Sequence, residues 1–238
     1  MFTVALIGPD GAGKTTVGRR LQRELPIPAT YLYMGVNAEA SNCVLPTTRL
    51  IRAVKRLRGA APDTAGPPDP LVRRPLEPAT RVRRAGLALR NALRLANQLA
   101  EEWHRQVRAW IHIRRGRVVV FDRHFFADFH AYDIAGGDAR PLGRRIHGLM
   151  LEHLYPRPDL VVYLDAAPEV LLARKGEGTI EALARRRRDY LELARLSGRF
   201  TTVDASRPLE DVTRDVARII LAFSGAGSGS AAAAAVGR

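Results

Sequence analysis

The chain has 238 residues, 46% of them hydrophobic, and a formal net charge of +14. That length suits one α/β domain with an insertion better than two domains. One cysteine, Cys43, excludes an intrachain disulfide and a paired-cysteine metal site, and no apolar run reaches a membrane-spanning length. A reducing cytoplasm is the expected setting. The N-terminus has no basic leader region and reads as a strand rather than a signal peptide. The positive charge is mostly arginine spread along the chain, so it does not by itself point to nucleic acid.

Five β-rich runs alternate with helical stretches: 2–7, 30–34, 117–121, 160–164 and, most weakly, 200–203. Several are continuous apolar runs, as strands covered on both faces are. The alternation predicts an α/β fold, a five-stranded parallel sheet with helices on both faces.

The first strand runs directly into Gly8-Pro9-Asp10-Gly11-Ala12-Gly13-Lys14-Thr15, which fits G-x-x-x-x-G-K-[ST], and a helix over 16–25 follows. Glycines at these places let backbone N–H groups turn inward around a polyphosphate, where a Cβ would clash. The helix N-terminus adds unpaired donors and the positive end of its dipole. Lys14 would reach the outer phosphates and the Thr15 hydroxyl would ligate Mg²⁺.

The stretch 38–98 reads as an inserted helical and loop region. Within it, 49–58 (RLIRAVKRLR) sets Leu50, Ile51, Val54 and Leu57 among five cations. Two readings compete: a basic amphipathic helix on a membrane surface or acidic substrate, and a solvated helix packing on the domain; the second is preferred. Residues 60–78 are rich in Pro, Ala and Gly and read as a long loop. The helix that follows carries Leu99, Trp103, Val107, Trp110 and Ile111 on one face, with Glu101, Glu102, Arg105 and Arg108 elsewhere.

Asp122-Arg123-His124 follows the third strand. A carboxylate at the carboxyl end of a parallel strand lies where such sheets bind ligands. Asp122 could therefore hold the Mg²⁺ shell or accept a hydroxyl proton, and Arg123 could grip an acceptor phosphate in bidentate fashion. Pro168 marks the first turn of a helix after the fourth strand. Residues 174–190 place glycines among cations, including the run Arg185–Arg188, and fit a lid that closes on phosphates. Successive helical residues point about 100° apart, so only one or two of the four arginines can face one ligand. Leu209, Val212, Val216, Ile219, Ile220 and Phe223 form a last apolar stripe, and 224–238 is low-complexity and reads as a disordered tail.

These motifs resemble the thymidylate kinase family of P-loop nucleoside monophosphate kinases: GPDGAGKTT, VVVFDRH, VVYLDAAPEVLLARK, RRRRDYLELA and VDASRPLEDVTRDV occur in that family's order. The resemblance covers roughly residues 1–25 and 99–223. It implies one P-loop kinase domain over 1–223, with ATP held by Asp10, Gly11, Ala12, Gly13, Lys14, Thr15 and Thr16. It further places Arg174 and Ser206, in the loop 205–208, near the adenine. Lys14, Asp122, Arg123 and Arg187 would be catalytic, and Thr15 and Asp122 would hold Mg²⁺. The P-loop itself carries no arginine, so the lid would supply it.

On the acceptor side the residues differ from the family's pattern. Met34-Gly35-Val36-Asn37 follows the second strand, and Glu101 or a neighbour stands where an arginine for the acceptor phosphate is usual. The expected partners are ATP and a small-molecule acceptor, with a homodimer allowed. Two alternatives remain open at this point. One is a kinase of a nucleoside or other hydroxyl acceptor on the same fold. The other is a nucleotide-binding regulatory or nucleic-acid protein, ranked last because no aromatic base-stacking motif is present.

Overall fold

A computed structural model describes residues 1–35, 41, 43–57, 59, 81–134, 141–176 and 178–235. The loop assigned to 60–78 lies outside these residues, as do Val36, Asn37 and Glu177. The strands are β1 (Thr3–Ile7), β2 (Ala29–Tyr33), β3 (Val118–Asp122), β4 (Leu160–Asp165) and β5 (Phe200–Asp204). They form one sheet in the order β2-β3-β1-β4-β5, and the β1–β3, β1–β4 and β4–β5 pairs are parallel. The five expected strands are thus present, shifted by a residue at several ends. The third begins one residue later and runs one further, which makes Asp122 the last residue of β3.

By its internal contacts the chain divides into two compact units. The first comprises Met1–Tyr31, Ile111–Arg123 and Pro158–Arg238; the second comprises Leu32–Trp110 and His124–Arg157. In the first unit, alternation along the strands sends Val4, Leu6, Val118, Val120, Val162 and Leu164 into one core. Opposite them are Val17 and Leu21 of α1 (Lys14–Glu24), Leu171 of α6 (Pro168–Lys175), Leu183 of α7 (Ile180–Glu192), and Val212, Val216 and Ile220 of α8 (Leu209–Ala235). The residues between them on β1, β3 and β4 are buried too, which is why these strands read as unbroken apolar runs. Helix α8 continues to Ala235, through much of the stretch whose composition reads as a disordered tail; a run of alanines is the best of helix formers.

In the second unit, α2 (Pro46–Leu57) and α3 (Arg81–Arg114) precede α4 (Phe125–Phe129), a π-helical turn at His130–Ile134, and α5 (Leu142–His153). Helix α3 reverses the expectation set by its apolar stripe. Glu101, Glu102, Arg105 and Gln106 are buried, whereas Val107 and Trp110 are exposed. Polar groups buried on a helix call for internal partners, and Glu102 finds them in residues far away in sequence. Tyr155 Oη donates to Glu102 Oε2 at 2.8 Å. His147 lies between Glu102 Oε2, at 3.0 Å from Nε2, and Asp133 Oδ2, at 2.7 Å from Nδ1. Burial pushes the His147 imidazole down, but hydrogen bonds to the Asp133 and Glu102 carboxylates outweigh it and hold it up at about 9.

Candidate active site

The candidate site of the first unit begins where β1 ends. Gly8 has φ of +145°, and a Cβ there would lie 2.6 Å from the Leu164 carbonyl oxygen; at Gly11, with φ of +91°, it would lie 2.9 Å from that of Leu171. The loop therefore needs glycine twice, for backbone conformation and for close approach. Gly13, in the left-handed region, caps α1, which starts at Lys14 rather than at residue 16. The first-turn amides of a helix have no intrahelical acceptors, so those of α1 remain available to an anion. Lys14 is buried and its Nζ donates to the carbonyls of Gly8 and Pro9, both at 2.7 Å. It thus braces the loop it belongs to.

Register pairs Leu6 with Asp122, so β3 delivers a carboxylate beside the start of the loop. Asp122 Oδ2 accepts from Thr15 Oγ1 at 2.5 Å and from Tyr31 Oη at 2.7 Å. Burial and the Asp122 charge push the Tyr31 phenol well above its ordinary range, so it stays a donor. Asp122 Oδ1 is buried with no hydrogen-bond partner among the described residues. An unfilled carboxylate oxygen next to a hydroxyl is an all-oxygen donor set, and it fits a hard divalent cation completed by phosphate oxygens and water.

Arg123 follows with φ of +67°, rare for a residue with a side chain, and its N–H is held by the Leu6 carbonyl at 3.0 Å. Its guanidinium is paired with Asp10. The same Asp10 carboxylate lies 3.5 Å from Arg186, 3.7 Å from Lys175 and 3.9 Å from Lys14. Four cations from the loop, the end of β3, α6 and α7 thus surround one carboxylate. Burial raises the Asp10 pKa, but Arg123, Lys14 and Lys175 outweigh it and bring it down to about 2. One negative charge among four positive ones leaves a strong surplus for a polyanion.

The lid arginines divide as helix geometry requires. Arg186 faces Asp10, whereas Arg187 makes two bonds of 2.7 Å to Asp165 at the end of β4. Of the two, Arg186 is the one beside the Asp10 carboxylate. Thr179 caps α7 by accepting from the Ala182 N–H at 3.2 Å, which fixes that phase. Arg174 donates to the carbonyls of Ala205 at 2.7 Å and Ser206 at 3.1 Å, joining α6 to the loop after β5. Tyr31, Lys175 and Arg186 were not singled out from sequence. Lys175 and Arg186 sit in the cationic stretch that marked the lid, while Tyr31 gave no signal beyond its place in a strand.

In the second unit, Arg105 lies buried one turn after Glu101. It donates to the Gly35 carbonyl, just past the carboxyl end of β2, at 2.6 Å, and it lies 3.6 Å from Glu101 Oε2. Glu101 Oε1 accepts from the Leu45 N–H at 3.1 Å. Arg105 Nε and Glu101 Oε2 have no hydrogen-bond partner among the described residues. His124, left unassigned from sequence, caps α4 with its ring nitrogen, and burial holds its pKa down at about 4.

A phosphate-binding loop after the first strand, a carboxylate and arginine ending the neighbouring strand, and cations converging from two later helices define a P-loop phosphotransferase of the nucleoside monophosphate kinase type. Comparison with known proteins narrows the class. The family described as thymidylate kinase matches residues 88–216. The probable thymidylate kinase of Pyrobaculum aerophilum is 30% identical over 227 residues, covering 92% of this chain and 96% of that protein. The thymidylate kinase of Symbiobacterium thermophilum is 32% identical over 155 residues, 61% of this chain and 69% of that one. The probable thymidylate kinase of Archaeoglobus fulgidus is 34% identical over 118 residues, 47% of this chain and 57% of the relative's length. The chain belongs to the thymidylate kinase family.

Proposed function

We propose that the chain transfers the γ-phosphoryl group of ATP to a small acceptor, as a Mg²⁺-dependent cytoplasmic kinase. The observation that carries this reading is the group of four cations around Asp10, set against the amides of a glycine loop. The acceptor oxygen forms the new bond to phosphorus as the bond to the ADP oxygen breaks. Charge spreads over the phosphoryl oxygens, and cations fixed beforehand stabilise that spread charge. Lys14 and the loop amides would hold the β- and γ-phosphates, Arg186 and Lys175 would face the transferred group, and Arg123 would orient the acceptor. Thr15 and Asp122 would hold Mg²⁺, which neutralises phosphate charge when bound. Arg174 and Ser206 would border the adenine.

The relatives' names make thymidine monophosphate the first acceptor to test. One observation favours a second reading: Glu101 is a buried carboxylate near the carboxyl end of β2, the edge where parallel sheets receive ligands. That carboxylate is already paired with Arg105, which leaves no free cation of the pair for an acceptor phosphate, so a nucleoside or other small alcohol is the alternative acceptor. Labelled ATP with a panel of nucleoside monophosphates, nucleosides and sugars decides between them. The Lys14→Ala protein should lose transfer by at least about a hundredfold while keeping its fold; full activity in that variant refutes the phosphotransferase assignment.

A further inference from the structure

One face of α1 is given over to Tyr31 of the edge strand β2, and all the residues involved belong to the first unit. Thr15, Gly18, Arg19 and Gln22 stand at the i, i+3, i+4 and i+7 positions of that helix, which share one side. Each of them meets Tyr31 or the acceptor of its hydroxyl. Gln22 Oε1 accepts from the Tyr31 N–H at 2.7 Å. The Arg19 guanidinium carbon lies 5.7 Å from the centre of the Tyr31 ring, within cation–π reach. At Gly18 a Cβ would lie 2.9 Å from Tyr31 Cδ2 and 3.1 Å from Cε2. Glycine weakens a helix interior relative to alanine, so the ring is the reason for a glycine at this turn.

Packing alone would be served by phenylalanine, which has no buried hydroxyl to satisfy. Tyr31 is 4% exposed, and its hydroxyl reaches a fully buried carboxylate. It donates to Asp122 Oδ2 at 2.7 Å, the same oxygen that Thr15 Oγ1 donates to at 2.5 Å. Two donors on Oδ2 and none on Oδ1 fix the plane of the carboxylate, and with it the direction in which Oδ1 points. Thr15 belongs to the phosphate loop's own helix start and is itself a proposed cation ligand. The phenol is the donor anchored outside the loop, by Gln22 and by the fit against Gly18. Partners that orient a ligating carboxylate tune a metal site without touching the metal. We propose that Tyr31 is a positioning residue of the cation site: its hydroxyl pins Asp122 so that Oδ1 is the oxygen offered to the divalent cation, and Gly18 makes room for the ring to reach it. This rests on the cation role proposed for Thr15 and Asp122.

Calorimetric titration of the full chain with a non-hydrolysable ATP analogue, once with Mg²⁺ and once with EDTA, gives the factor by which the cation raises nucleotide affinity. No turnover enters the measurement. Tyr31→Phe should lower that factor about tenfold and leave the affinity in EDTA at the wild-type value, because the ring stays in place and the loop is untouched. Gly18→Ala should lower the factor too, although alanine is the better helix former. Asp122→Asn separates this inference from the reading beneath it. A factor that falls in Asp122→Asn and stays at the wild-type value in Tyr31→Phe keeps the cation site and refutes the role of Tyr31. A wild-type factor in Asp122→Asn means that the cation site itself is misassigned, and the proposal falls with it. Equal loss of affinity with and without Mg²⁺ in Tyr31→Phe means that the phenol serves only the fold, which also overturns the proposal. A Gly18→Ala protein with the wild-type factor overturns the part given to the glycine.

Discussion

The buried His147 gives the second unit a pH dependence whose size and direction can be worked out. The folded protein holds its imidazole at about 9 against an ordinary 6.5. Since the folded value is raised, the bound proton stabilises the fold fully below about pH 6.5, and that stabilisation is lost as pH rises through about 9. At 1.36 kcal/mol per pKa unit, the imidazolium between Glu102 and Asp133 contributes roughly 2–3 kcal/mol at pH 7 and almost nothing at pH 10. Trp103 and Trp110 are the chain's two tryptophans, and Trp103 packs on Tyr155, which itself bonds Glu102. Tryptophan fluorescence during urea unfolding therefore reports on this network.

The comparison is wild type against His147→Gln, measured from pH 6 to pH 10, so that other groups titrating in that range cancel. Gln keeps an amide donor for one of the two carboxylates and carries no proton to lose. The wild type should be more stable by roughly 2–3 kcal/mol at pH 7, and most of that gap should be gone by pH 10. A gap that stays constant with pH means that His147 is neutral in the fold. The two carboxylates would then be held by something else, and the reasoning fails.

Three further outcomes follow from the candidate active site. Arg186→Ala should lower kcat by about a hundredfold, whereas Arg187→Ala should leave kcat nearly unchanged and cost at most about 1 kcal/mol in thermal unfolding, its partner Asp165 being a half-exposed pair; equal kcat losses would contradict the division of the lid arginines. Asp122→Asn should raise the Mg²⁺ concentration needed for half-maximal transfer on the order of tenfold, and an unchanged Mg²⁺ titration would remove Asp122 from the cation shell. Gly8→Ala sets a Cβ against the Leu164 carbonyl and should cost about 1–3 kcal/mol with loss of ATP-induced thermal stabilisation; a variant of wild-type stability would mean that the loop relaxes freely.

What the sequence made legible was whatever is local. The loop from Gly8 to Thr15 declared itself because strand, glycines, lysine and helix are consecutive, and Asp122 because it ends an apolar run. The family resemblance points to Arg187 rather than Arg186, and one residue is about 100° of helix. Which of the two meets Asp10 depends on where Thr179 caps α7, and only the folded chain settles that phase. The second unit was misread for a deeper reason. An apolar stripe predicts burial only if the polar face has no partners of its own. On α3 the polar face has them, in His147 and Tyr155, each more than forty residues away. Glu101 and Arg105 are one turn apart, at the spacing of a solvated surface pair, and in the fold they are buried. One helix face therefore accounts both for the missed histidine network and for the unforeseen Arg105.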